Sequence, residues 1–154
     1  MRTITLVCAT CGKPFDKEIK EYNRRLRLGK ASMFCDEKCA GADRALSFDP
    51  FKSILLFARK NARSRPKECS ITKEYLESIW QIQNGKCAYT DVELVLPHPN
   101  KRAQPNTASL DRIDSSKGYI KGNVEFVCVF VNLGKNGFSK QQVIDLLKQF
   151  KIGM

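Results

Sequence analysis

The sequence predicts a small α+β fold that begins with a four-cysteine metal knuckle. Three observations predict it. Two pairs of cysteines stand at metal-ligand spacing before residue 40, apolar residues recur at helical spacing in the middle and at the end of the chain, and two short apolar runs flank a glycine-containing loop between residues 108 and 129. With 154 residues, of which 42% are hydrophobic, the chain suits one domain or a domain with a satellite and can bury a core.

Along the chain, residues 3–7 alternate around Ile4 and Leu6 and predict a strand that runs into Cys8. Residues 16–30 are highly charged. A helical pattern follows Cys35 and Cys39 and continues to about Leu46. Asp49-Pro50 opens the next helix, because Asp49 can cap it and proline suits the first turn. Its apolar positions are Phe51, Ile54, Leu55 and Phe57, and its last turn is basic. The domain boundary falls at or before the polar, proline-broken stretch Ser64–Glu68. The division adopted is a zinc-binding element over 1–48, then helices and the motif-bearing domain over 49–154.

Thr72 caps a helix carrying Tyr75, Leu76, Ile79, Trp80 and Ile82, stopped by Asn84-Gly85. Residues 91–107, with three prolines, read as loop. Strands are expected over about 108–113 and 124–129, and a helix from near Asn132. Ser139 and Gln142 form a capping box that starts the last helix, with Val143, Ile144, Leu146, Leu147 and Phe150 on its apolar face.

The cysteine pairs are Cys8-x2-Cys11 and Cys35-x3-Cys39. Zinc takes four soft ligands in a tetrahedron, and a two-residue gap places two sulfurs on one tight turn. Gly12 follows, where a knuckle needs a backbone free of Cβ. Because all four positions are protein thiols, the role expected for this Zn2+ is structural. Cys69, Cys87 and Cys128 each stand singly and read as small apolar core residues.

Lys and Arg number 27 against 16 Asp and Glu, a formal net charge of +11. Such an excess attracts a polyanion through counterion release, so nucleic acid is the first partner implied. Basic candidates for phosphate contact are Arg24 and Arg25, then Arg63, Arg65 and Lys67, then Lys117, Lys121 and Lys135 around the strand pair. No apolar run approaches the roughly 18 residues of a membrane span. The start of the chain reaches Cys8 too early for a signal-peptide apolar region, which points to the cytoplasm, where thiols stay reduced and bind metal.

The chemistry concentrates in Ser109-Leu110-Asp111-Arg112-Ile113-Asp114, Gly118-Tyr119, Asn123 and Asn132 through Lys135. A carboxylate and an amide oxygen brought together make a hard site suited to Mg2+ or Mn2+. An adjacent guanidinium is a rigid donor fork for phosphate. Taken alone, Asp111 reads equally as a turn residue and Asn132 as a helix cap.

Together these residues resemble the HNH, or ββα-metal, nuclease superfamily, over about residues 84–138. Asn84-Gly85-Lys86-Cys87 is similar to its phage recombination-endonuclease branch. Asp111-Arg112, Gly118-Tyr119, Asn123, Cys128, Asn132 and Lys135 are similar to its rare-cutting restriction-enzyme branch, which also carries an N-terminal four-cysteine zinc element. The resemblance implies a ββα-metal motif and a metal-dependent DNA endonuclease of phage or mobile-element origin, working in the host cytoplasm. In it Asp111 and Asn132 hold the catalytic ion, Asn123 pins the loop, and Arg112 occupies the place of the general-base histidine.

Two departures stand out. The second zinc site of this branch would need partners at Thr90 and Val131, so Cys87 and Cys128 each keep half a pair, and apolar packing around Val131 is expected instead. Arginine cannot accept a proton at neutral pH, since its pKa lies above about 12. His98, the one histidine, is then the leading base, with Tyr119 and Lys67 as further candidates. The alternative is a catalytically inactive HNH-fold module that binds DNA without cutting it. A homodimer is attractive, because a double-strand cut by a one-site nuclease takes two sites. The apolar face of the last helix serves an interface or the core equally well.

Overall fold

Antiparallel pairing begins at the N-terminus, where threonine and aliphatic residues face a charged partner strand. In the computed structural model, which describes residues 2–149, β1 (Thr3–Val7) pairs with β2 (Pro14–Glu18), Leu6 opposite Phe15 and Thr5 opposite Asp16. Thr5 Oγ1 donates to Asp16 across the pair at 2.7 Å. Two helices follow, α1 (Ile19–Arg27) and α2 (Glu37–Leu46). The charged stretch from 16 thus contains a strand end and a helix.

Asp36 caps α2 by accepting from the Cys39 N–H, and neither helix buries a residue completely. These elements make one compact unit, Met1–Phe48; the second is Asp49–Met154.

In the second unit α3 (Pro50–Ser64) and α4 (Lys73–Ile82) start where local chemistry dictates. Asp49 accepts from the Lys52 N–H at 3.0 Å and Thr72 from the Tyr75 N–H at 3.2 Å. Asn84 and Gly85, at φ 51° and 66°, reverse the chain after α4. Strand β3 (Ala108–Arg112) pairs antiparallel with β4 (Val124–Cys128), Asp111 opposite Glu125. Helix α5 (Val129–Lys135) follows β4 without a loop. It therefore begins ahead of Asn132, which lies inside the helix rather than at its start. The ladder runs directly into helical backbone at Val129.

The last helix, α6 (Lys140–Gln149), carries the expected capping box: the Ser139 N–H donates to Gln142 and the Gln142 N–H to Ser139 Oγ. Phe150, expected on its apolar face, lies outside the described residues.

The core of this unit gathers α3, α4, both strands and α5 around Phe126, Leu76 and Val127, all fully buried. Phe51, Trp80 and Phe126 meet edge to face, with centroids 5.3–6.2 Å apart, each pair adding roughly 0.5–1.5 kcal/mol beyond the area buried. Cys87, Cys128 and Val131 belong to this core, and the Cys128 N–H donates to Cys87 Sγ. Among the described residues, no helix is long and apolar enough to cross a membrane.

Candidate functional sites

In the first unit the four cysteines converge. Their sulfurs lie within 4.8 Å of one another, with Cys11–Cys35 at 3.7 Å and Cys35–Cys39 at 3.6 Å. A tetrahedron of thiolates about 2.3 Å from a central ion has edges of about 3.8 Å, so these spacings fit a four-sulfur metal site. The knuckle is shaped by backbone bonds: Cys8 N–H to Lys13 O, Gly12 N–H to Cys8 O, and Ala9 N–H to Met33 O. Gly12 sits at φ 70°, a conformation that favours glycine. Hydrogen bonding from the Cys11 backbone pulls the Cys8 thiol down to about 6, while contact with Cys35 pushes Cys39 up. The set has the lone pairs of a metal site and competes internally for protons.

In the second unit, β3 and α5 bring Asp111, Arg112 and Asn132 to one cleft of about 390 Å³, shared with Arg65 and Asn61 of the α3 end, Ser109 and Tyr119. Each key side chain is held. Asp111 is 6% exposed; its Oδ2 accepts from the Tyr89 hydroxyl at 2.9 Å and from Lys135 Nζ at 2.6 Å. The Asn132 amide nitrogen donates to Ser109 Oγ at 2.7 Å and to Leu110 O at 3.3 Å. These bonds use one Asp111 oxygen and the Asn132 nitrogen, leaving Asp111 Oδ1 and Asn132 Oδ1 out of the set. A carboxylate and an amide on residues lining one cleft offer the hard oxygen donors that suit a divalent ion of the Mg2+ type, which takes few protein ligands. Hydrogen bonds to the non-ligating atoms are the usual support of such ligands.

Arg112 Nη1 donates to Ser115 O and Lys117 O, and its guanidinium lies 5.4 Å from the Tyr119 ring centroid. Nε and Nη2 take no part in those bonds. The loop after β3 is pinned again by Asn123, which donates to Asp114 O and Gly118 O and accepts from the Asp114 N–H. A Cβ at Gly118 would stand 2.2 Å from Glu68 O, so only glycine fits there.

Lys135 departs from the surface role expected of it. It is 1% exposed, and its ammonium reaches Asp111 Oδ2, Arg112 O and Ile113 O rather than the surface. The register explains why. Asp111 and Glu125 are cross-strand partners on one face, and two adjacent carboxylates repel. Lys135 pairs with the first and Lys140 with the second. Burial, then the bond to Asp111, pushes the Tyr89 phenol above its ordinary range, so Tyr89 remains a donor.

His98 lines a different cavity, with Lys101, Arg102 and Gln104, and its Nδ1 accepts from the Asn100 N–H. Lys67 donates to Ser116 O. Of the three candidate bases only Tyr119 lines the cleft. Among the other basic candidates, Arg24 pairs with Glu21, Arg25 donates to Ser32 O, Lys117 lies 3.6 Å from Asp114, and Lys121 stands over the Tyr75 ring; Arg63 is exposed. Reasoning from sequence missed Asn61, Tyr89 and Lys140. Only Tyr89, two residues after Cys87 within a half-kept cysteine pair, stood near a recognised pattern.

No protein-family model matches the sequence, and no curated protein matches it. A solved structure that does match is the rare-cutting HNH restriction endonuclease PacI. The identity is 17%, over 94% of this chain and 92% of that one, at a TM-score of 0.46. A likeness of that size assigns neither family nor activity to this chain.

Proposed function

We propose that the chain is a DNA endonuclease of the HNH, ββα-metal type that hydrolyses phosphodiester bonds at the Asp111–Arg112–Asn132 cleft. The observation that carries this reading is the convergence of a carboxylate, an amide and two guanidiniums, Arg112 and Arg65, in one cleft. Asp111 and Asn132 would hold Mg2+ or Mn2+. When bound, such an ion polarises the scissile phosphate and neutralises charge on the leaving oxygen. Arg112 and Arg65 hold the phosphate, Tyr89 and Lys135 fix the Asp111 carboxylate, and Ser109 fixes the Asn132 amide. The four cysteines hold a structural Zn2+. Arg24, Arg25, Arg63, Lys67, Lys117 and Lys121 supply phosphate contacts outside the cleft, which makes binding fall steeply with salt.

The test is nicking of supercoiled plasmid with Mg2+ or Mn2+. Asp111→Ala would leave the buried Lys135 ammonium with neither an anion nor an acceptor at that position, so Asp111→Asn, which loses the charge but keeps an oxygen acceptor for it, is the informative variant. The wild type nicks and Asp111→Asn does not. His98→Ala leaves the rate unchanged; a fall of about two to four orders of magnitude would make His98 the base after all.

A second reading, a module that binds DNA without cutting it, is favoured by one observation: no histidine lines the cleft among the described residues. Tight binding at low salt with no nicking under either ion identifies it.

A further inference from the structure

We propose that Lys135 makes divalent-ion binding at Asp111 conditional on a bound phosphodiester. This inference rests on the assignment of Asp111 as an ion ligand and adds the order in which the site fills. Lys135 Nζ stands 2.6 Å from Asp111 Oδ2, 2.6 Å from Arg112 O and 3.4 Å from Ile113 O. An ammonium has three N–H groups, and each has an acceptor here. The side chain is 2% exposed, so swinging away from Asp111 would leave two unpaired charges out of water. Lys135 is therefore a fixed cation.

The cleft has no second acid to offset it. Asp111 is the single acidic residue among the described residues lining the cleft, against Arg65 and Arg112. Glu125, the next carboxylate on the same sheet face, is paired with Lys140 and does not line the cleft. An ion arriving alone meets one carboxylate whose charge is already countered, beside two guanidiniums. Those guanidiniums and the +11 chain draw a phosphodiester first. The phosphodiester brings the missing negative charge and further hard oxygen ligands, and the ion then binds both. By linkage, the ion strengthens duplex binding by the same factor as the duplex strengthens ion binding.

The experiment titrates the full chain with Mn2+ and follows free Mn2+ by electron paramagnetic resonance. It is run with and without a short DNA duplex at constant ionic strength, and the uptake by duplex alone is subtracted. Asp111→Asn, run in parallel, defines the uptake that belongs to this site. In the wild type, Asp111-dependent uptake is weak without duplex and strengthens by at least about tenfold with it, within the usual coupling range of about 5- to 150-fold. Lys135→Met, which keeps the aliphatic stem and removes the charge, takes up Mn2+ without duplex, and Asp111→Asn in the same chain abolishes that gain. Equal Asp111-dependent uptake with and without duplex overturns the inference and leaves the ion assignment standing. No Asp111-dependent uptake in either condition overturns both. Should Lys135→Met fail to fold, the wild-type comparison against Asp111→Asn decides alone.

Discussion

The two units of this chain are held together by different forces. In Met1–Phe48 the buried hydrophobic residues among those described are Cys8 and Met33, and helices α1 and α2 bury nothing completely. Asp49–Met154 has a continuous core around Phe126, Leu76, Ile71 and Val127. A unit of that size with almost no core needs a staple, and the four converging sulfurs could hold a metal ion that serves as one. On the proposed metal site, the stability of the first unit is a matter of ligands, and that of the second a matter of packing. Perturbations that act on one kind of force separate them.

The largest effect expected is on the cysteine unit. Structural four-ligand sites bind metal with about 10–16 kcal/mol of apparent free energy, coupled to folding. Strong chelation, or Cys35→Ser, abolishes hydrogen-exchange protection in β1 and β2 and leaves that of β3 and β4 intact. Persistence of β1–β2 protection without metal would break the comparison.

Next is Phe126→Ala, which costs the second unit about 3–5 kcal/mol in denaturant unfolding through cavity formation. Its metal content is unchanged. Gly118→Ala comes third, because its Cβ would meet Glu68 O. It costs about 1–3 kcal/mol and slows nicking, since the displaced loop carries the carbonyls that hold Arg112.

The smallest effect is acid-dependent. The Lys73 ammonium, then the Lys52 N–H, hold the Asp49 carboxyl below the usual carboxylate range. A depressed folded value means that the stabilisation is complete above the unfolded pKa of about 3.9 and disappears as pH falls through the folded value. Asp49→Asn keeps a capping side chain and removes the charge, so its unfolding curve below about pH 4 is less steep than that of the wild type. The loss at pH 7 is small, because the pair is a third exposed and screened by solvent.

The sequence made the second unit far more legible than the first, for the same physical reason. Asp49, Thr72 and the Ser139–Gln142 box announce their helices because capping is local chemistry between a side chain and the next turn. Strand β2 and helix α1 went unread. Phe15 is the single large apolar residue of β2, and α1 has no buried residue to set a period. The cysteine site was legible in its ligands and silent about the elements that carry them.

In the cleft, Asp111, Arg112 and Asn132 were legible as a group, while Lys135 was misread. Residue type says that lysine belongs outside. Only the register that sets Asp111 opposite Glu125 shows why a cation is needed inside. His98 was chosen for its chemistry and for its place in the loop before β3, and neither fixes which cavity a loop side chain enters.

The account stands on Asp111 and Asn132 serving one ion together. The direct measurement is the single-turnover nicking rate of wild type, Asp111→Asn, Asn132→Ala and the double variant, with saturating Mn2+. Ligands acting as a unit give a double variant no slower than the worse single one. Losses that add in the logarithm of the rate, or a wild type that does not nick at all, would contradict it.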